Sequence, residues 1–114
     1  MEQVKNAWIY CHIDAPEDSH GVLKDHRQQL LDYADQIGFN VVGTSQDLAD
    51  GLNLNRIGLN EVMEAAKAGQ IDVVVIHSKI CISRDGSKVN VYINCLHNCG
   101  VKLYSPLEGE ILQQ

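Results

Sequence analysis

Proline and large aromatic residues are scarce: the 114-residue chain has two prolines, one phenylalanine and one tryptophan. It also lacks Ser-, Gln- or Gly-rich tracts, and with 21% charged and 45% apolar residues its composition excludes intrinsic disorder. Long apolar runs are missing. No stretch approaches the ~20 residues that span a bilayer, and Met1 to Lys5 lead into Trp8-Ile9-Tyr10-Cys11-His12 rather than a signal-peptide core. Basic side chains are in the minority, nine against fifteen acidic ones for a formal charge of -6. Non-specific affinity for a polyanion needs Lys and Arg to neutralise phosphates, so it is excluded, and any DNA contact must be local and weak. Four cysteines are too few for a disulfide scaffold, and Cys11 and Cys81 lie in apolar runs, which suits a reducing compartment. A cytoplasmic protein with no membrane partner is expected. No G-x-G-x-x-G or Walker-type run occurs, and Asp14 to Gly21 holds a single glycine, so no nucleotide cofactor is expected.

What is present fits one domain, large enough to bury roughly two-thirds of its unfolded surface. Ala7 to Ile13 is short, aromatic and β-branched, which predicts a strand. From His20 to Ile37 the apolar residues Leu23, Leu30, Ala34 and Ile37 recur at helical spacing, and Gly38 stops the run. Phe39 to Gly43 predicts a second strand and Thr44 to Asn55 a long loop. A second helix presents Leu59, Val62, Met63 and Ala66 on one face and ends at Gly69. Ile71 to Ile76, with Val73-Val74-Val75, shows no alternation, as expected of a strand covered on both faces. A third helical stripe, Val89, Tyr92, Ile93, Leu96 and Cys99, stops at Gly100, and Val101 to Tyr104 is a last strand before Pro106. This βαβαβαβ order predicts an α/β domain with a mostly parallel sheet of about four strands and helices on both faces. Ligands of such sheets bind beyond the carboxyl ends of the strands. The stretches to inspect are therefore His12 to Ser19, Thr44 to Arg56, His77 to Asp85 and Ser105 onward.

Between Leu23 and Asp85 several spaced pieces occur in a characteristic order. The first helix carries Leu23, Arg27, Leu30, Tyr33-Ala34 and Gly38, similar to L-x-x-Q-R-x-x-L-x-x-Y-A-x-x-x-G with His26 in place of the glutamine. Asp47-Leu48-Ala49-Asp50-Gly51, four residues, then Arg56-Ile57-Gly58-Leu59 is similar to D-x-x-S-G-x4-R-P-G-L, with Asp50 for Ser and Ile57 for Pro. Gly69, Asp72 and Val73-Val74-Val75 resemble the approach to the third strand, and Ser83-Arg84-Asp85 the end of D-R-L-S-R-D. Together these resemble the catalytic domain of serine recombinases, the resolvase/invertase family. The resemblance covers most of the chain. It implies a three-layer resolvase-like domain over residues 1–114, with a sheet of four to five strands and no separate DNA-binding domain.

The activity implied by that resemblance is DNA cleavage and exchange, in recombination or integration, by a serine hydroxyl that becomes joined to a phosphate beside clustered arginines. Phosphoryl transfer depends on positioning and on positive charge at the non-bridging and leaving oxygens. Here the family's Y-x-R-V-S reads Tyr10-Cys11-His12-Ile13-Asp14. Asp14 stands at the serine position and His12 at the arginine position, while Ile80 and Cys81 replace an Asp and an Arg. Of the cationic cluster, Arg56 and Arg84 remain. Each lost stabiliser of a developing oxyanion costs about 3 kcal/mol, and Asp14 adds a charge that repels a phosphodiester. The family's long helix after the last strand would have to begin near Glu108. The expectation is a degenerate, non-catalytic relative that associates weakly with DNA, with a second copy or with a recombinase.

The site residues also have simpler readings. Ser19 is either a displaced nucleophile or the N-cap of the first helix. His12, Asp14, Asp47, His77 and Lys79 could form a metal or acid-base cluster, or a polar pocket left from an ancestral site. Cys95 and Cys99, at i and i+4, are either metal ligands or core packing, and core packing is expected because a tetrahedral site needs more ligands than this pair supplies. Arg84-Asp85 also reads as a helix start, and Arg56 as a surface ion pair worth under ~1 kcal/mol. Arg56 and Arg84 are otherwise the expected phosphate contacts. An active enzyme using Ser19, or Asp14 with a metal, is the alternative, and an anion-binding module is a third reading.

Overall fold

The computed structural model describes residues 4–13, 21–48 and 56–112. Five strands and three α-helices follow in the order β1 (Asn6–Ile13), α1 (Val22–Ile37), β2 (Asn40–Leu48), α2 (Ile57–Lys67), β3 (Val73–Val75), α3 (Gly86–Asn98), β4 (Lys102–Ser105) and β5 (Gly109–Ile111), with a 3-10 turn at Lys79–Cys81. The sheet order is β2-β1-β3-β4-β5. The pairs β1·β2, β1·β3 and β3·β4 are parallel and β4·β5 is antiparallel. It is the α/β fold expected, with a fifth strand added at one edge. No helix among the described residues is long and apolar enough to cross a membrane.

Two apolar layers hold the sheet. On one face Leu23, Leu30 and Ala34 of α1 pack against Ala7, Ile9 and Val75. On the other, Leu59 and Val62 of α2 and Ile93 and Leu96 of α3 pack against Tyr10 and Leu103. All three β3 residues are buried, which accounts for their unbroken run of valine: both faces of that strand meet a helix layer.

Two expectations need correction. The segment from Thr44 onward is not all loop, because β2 continues to Leu48 and pairs with β1 as far as Ile13↔Leu48. Its half-buried positions after Val41 are Gly43, Ser45 and Asp47, so the face that packs inward is polar or bare and carries no apolar alternation. The first helix begins at Val22, two residues later than His20, and Gly21 occupies the cap position at φ 68°. A left-handed residue there suits glycine; Ser19, the expected cap, lies outside the described residues. Near Glu108, where the family's long helix would have to begin, the described residues form a strand instead. A turn in which Ser105 Oγ accepts from the Leu107 N–H at 3.1 Å leads into β5.

Candidate functional site

At the carboxyl end of β2 the polar groups are consumed in joining strands to a helix. Asp47 Oδ1 accepts from the Gly58 N–H at 2.8 Å, and its Oδ2 accepts from the Leu59 N–H at 3.0 Å and from Tyr10 Oη at 2.8 Å. One carboxylate thus caps α2 and satisfies a buried phenol. Burial pushes the Tyr10 hydroxyl far up; the nearby Arg56 charge opposes this, and its bond to Asp47 adds to it. Gly58 permits the approach, since a Cβ there would lie 2.7 Å from Asp47 Oδ2. Two residues before Asp47 on β2, Ser45 Oγ accepts from Trp8 Nε1 at 2.9 Å and donates to the Gly58 carbonyl at 2.8 Å.

Arg56 precedes α2 and is 5% exposed, which overturns its reading as a surface ion pair. Its guanidinium lies 5.9 Å from the centre of the Tyr10 ring, at the outer reach of a cation–π contact. Nη2 donates to the Ile82 carbonyl, while Nε and Nη1 are buried without a hydrogen-bond partner among the described residues. A buried charge with two unmet donors is costly, and it persists here beneath the connection from β3 to α3.

A second polar region opens at the ends of β1 and β3, where the connections leave for opposite sides of the sheet. Ligands of open α/β sheets favour such a switch point. A cavity of about 140 Å3 lies there, lined by His12, His26, His77, Cys81 and Arg84. His26 reaches it from α1 and stacks on His77, with ring centres 4.2 Å apart and planes 10° from parallel. His12 is 7% exposed. The Cys81 thiol is pushed up by burial, although backbone hydrogen bonds from Ser78, His77 and His12 pull the other way, so it is held as a neutral thiol. Cys11 is pushed up to about 12, by burial first and by Cys81 second.

The family model for the resolvase N-terminal domain matches residues 15–113. The chain belongs to that family. Among solved structures, the C-terminal catalytic domain of ISC1926 TnpA, an IS607-like serine recombinase, is 29% identical over 88% of this chain and 68% of that one, with a TM-score of 0.81. The N-terminal catalytic domain of TP901-1 integrase is 17% identical over 92% of this chain and 80% of that one, at 0.84. A resolvase family site-specific recombinase from Streptococcus pneumoniae is 18% identical over 92% and 74%, at 0.79.

In this resolvase domain the residues expected at the site do not all line one cavity. His12, His77 and Arg84 share the cavity, whereas Asp47 is committed to α2 and Lys79 lines an adjoining cavity with Ile80 and Arg84. Of the described members of the five-residue cluster, Asp47 and Lys79 do not line this cavity. Arg56 does not line the histidine cavity, and Asp14, expected at the serine position, lies outside the described residues. No group of three His, Cys, Asp or Glu among the described residues is placed to hold a metal. Cys95 is exposed and Cys99 half-buried, so core packing fails for Cys95 and holds in part for Cys99, which packs against the α2/α3 layer. Asp85 does start a helix: it caps α3, accepting from the Ser87 N–H at 3.0 Å and from Ser87 Oγ at 2.7 Å. Sequence reasoning missed His26 and Cys81 as cavity residues. The substitution of His26 for the family's glutamine was the available signal.

Proposed function

We propose that this chain is a non-catalytic resolvase-domain protein, acting in the cytoplasm by association with DNA, with a second copy of itself or with a recombinase. Phosphoryl transfer needs a nucleophile and cations around the phosphate. One observation carries the reading: the family's arginine and Asp-Arg positions hold His12, Ile80 and Cys81, with Ile80 59% exposed and Cys81 buried as a neutral thiol. Arg56 supports it further, being turned under Tyr10 toward a backbone carbonyl. Asp14 in the serine position removes the hydroxyl that would join to DNA. DNA contact is correspondingly weak, because Arg84 is the cavity's arginine in a chain of charge -6.

The test is incubation of the purified chain with supercoiled plasmid, followed by denaturing gels for nicked product and for protein joined to DNA. Neither product is expected. A seryl-phosphate adduct that disappears on Ser19→Ala, or on replacement of any other single serine, overturns the proposal.

A further inference from the structure

Where α1 passes the turn between β4 and β5, the helix presents Gln29, Asp32, Tyr33 and Gln36 along one face, at helical spacings of three and four. Pro106 and Leu107 of the turn, with His77, complete a groove of about 350 Å3, a volume within the range of ligand sites. Its walls are mixed. Leu107 is 70% exposed, and Tyr33 is half-buried against the α1 layer, which holds its ring in place. Asp32 brings a carboxylate. Its Oδ1 accepts from Gln28 Nε2 at 2.9 Å on the same helix, and its Oδ2 takes no hydrogen bond among the described residues. No lysine or arginine follows Arg27 on α1, and the last turn of the helix is without a basic residue. The carbonyl end of a helix favours a cation, and here the helix supplies none of its own.

We propose that this groove takes an arginine side chain of a basic protein partner, its guanidinium paired with Asp32 and its methylene stem laid along Tyr33, Pro106 and Leu107. A guanidinium suits these walls. Its planar fork of donors matches a carboxylate and the glutamine amide oxygens, its flat face can cover a phenol ring, and its stem is apolar. A lysine ammonium is a compact, strongly hydrated charge with neither the fork nor the flat face. Charge favours a basic partner, because the chain carries -6 overall and the same carboxylate repels a nucleic-acid phosphate. The inference rests on the reading of this chain as a module that acts by association, and it names the chemistry of a protein partner.

The probe is the capped peptide Ac-Ala-Arg-Ala-NH2, titrated into the full chain and followed by backbone amide NMR. The signals of Gln29, Tyr33, Gln36 and Leu107 should move together, while those of α2 stay in place. A peptide with citrulline for arginine, an isostere without the charge, should bind at least about fivefold more weakly, and the lysine peptide at least about threefold. Asp32→Asn should weaken the arginine peptide by about fivefold. Asp35→Asn, exposed on α1 but not lining the groove, should stay within about twofold. Each variant's own spectrum reports whether it is folded. Equal affinity for the arginine and citrulline peptides, equal losses in the two variants, or groove signals that do not move overturn the inference. Movement of the same signals on dilution of the chain alone assigns the groove to a second copy, and movement on adding a short DNA duplex assigns it to nucleic acid; either result also overturns it. A nicking result would overturn the proposed function and leave the peptide binding untouched.

Discussion

The two polar regions at the carboxyl edge of the sheet are built on opposite principles. At the β2–α2 joint, Asp47, Ser45, Tyr10 and Trp8 meet one another and the start of α2 at ordinary hydrogen-bond distances. That region is structural: its polar groups hold a helix on an edge strand that has little apolar surface to offer. At the β1–β3 switch point the polar groups instead line a solvent-open cavity, and two imidazoles stack across it. The difference locates where this fold can lose residues without cost to stability and where it cannot.

The largest effect should come from breaking the joint. Asp47→Ala removes the α2 cap and strands the Tyr10 hydroxyl, and the two losses together should destabilise the domain by roughly 3 kcal/mol, read from the urea midpoint. Next is Gly43→Ala. A Cβ at residue 43 would lie 2.3 Å from the Trp8 ring, so about 2 kcal/mol should be lost. Combining it with Trp8→Leu should cost less than the sum of the single changes, because the clash is shared. Gly43→Ala and Trp8→Leu effects that simply add would show that the indole is not what Gly43 accommodates.

Asp85 tests a smaller, exposed version of the same capping chemistry. The Ser87 hydroxyl and then its N–H hold the Asp85 carboxyl below the usual carboxylate range. A depressed folded value means the contribution is present above about pH 4 and fades as the pH falls through the lower folded value. The gap in melting temperature between the wild type and Asp85→Asn should therefore be widest near neutrality and close in acid. A gap that widens on acidification contradicts the capping geometry. Smallest of all should be His77→Asn at the open cavity, with a stability change within about 0.5 kcal/mol. A loss comparable to that of Asp47→Ala would remove the contrast between the two regions.

Much of the architecture is legible in the sequence. The unbroken Val73-Val74-Val75 run, the stripes ending at Gly38 and Gly69, and the spaced pieces from Leu23 to Asp85 lead to an α/β resolvase domain, because burial imposes local periodicity on the chain. The second half of β2 was not readable. Its inward residues, Gly43, Ser45 and Asp47, serve a tryptophan, a helix start and a tyrosine, so they carry no hydrophobic alternation. The Arg56 ion-pair expectation failed for a related reason: a guanidinium is normally exposed, and only the packing of Tyr10 and Ile82 around it makes this one buried. Cys95 failed in the other direction, since its helical spacing from Cys99 does not say which side of the stripe faces the sheet.

The sequence alone determined the class of fold and the order of its elements, since these depend on residue identity and on spacing within one element. Tertiary structure decided which side chains share a site. His12, His26, His77 and Arg84 come from three separate segments, and their meeting depends on the strand order that sets β1 beside β3 and lays α1 across that edge. No local pattern encodes such a meeting, because distances between segments are fixed by how the two helix layers pack on the sheet.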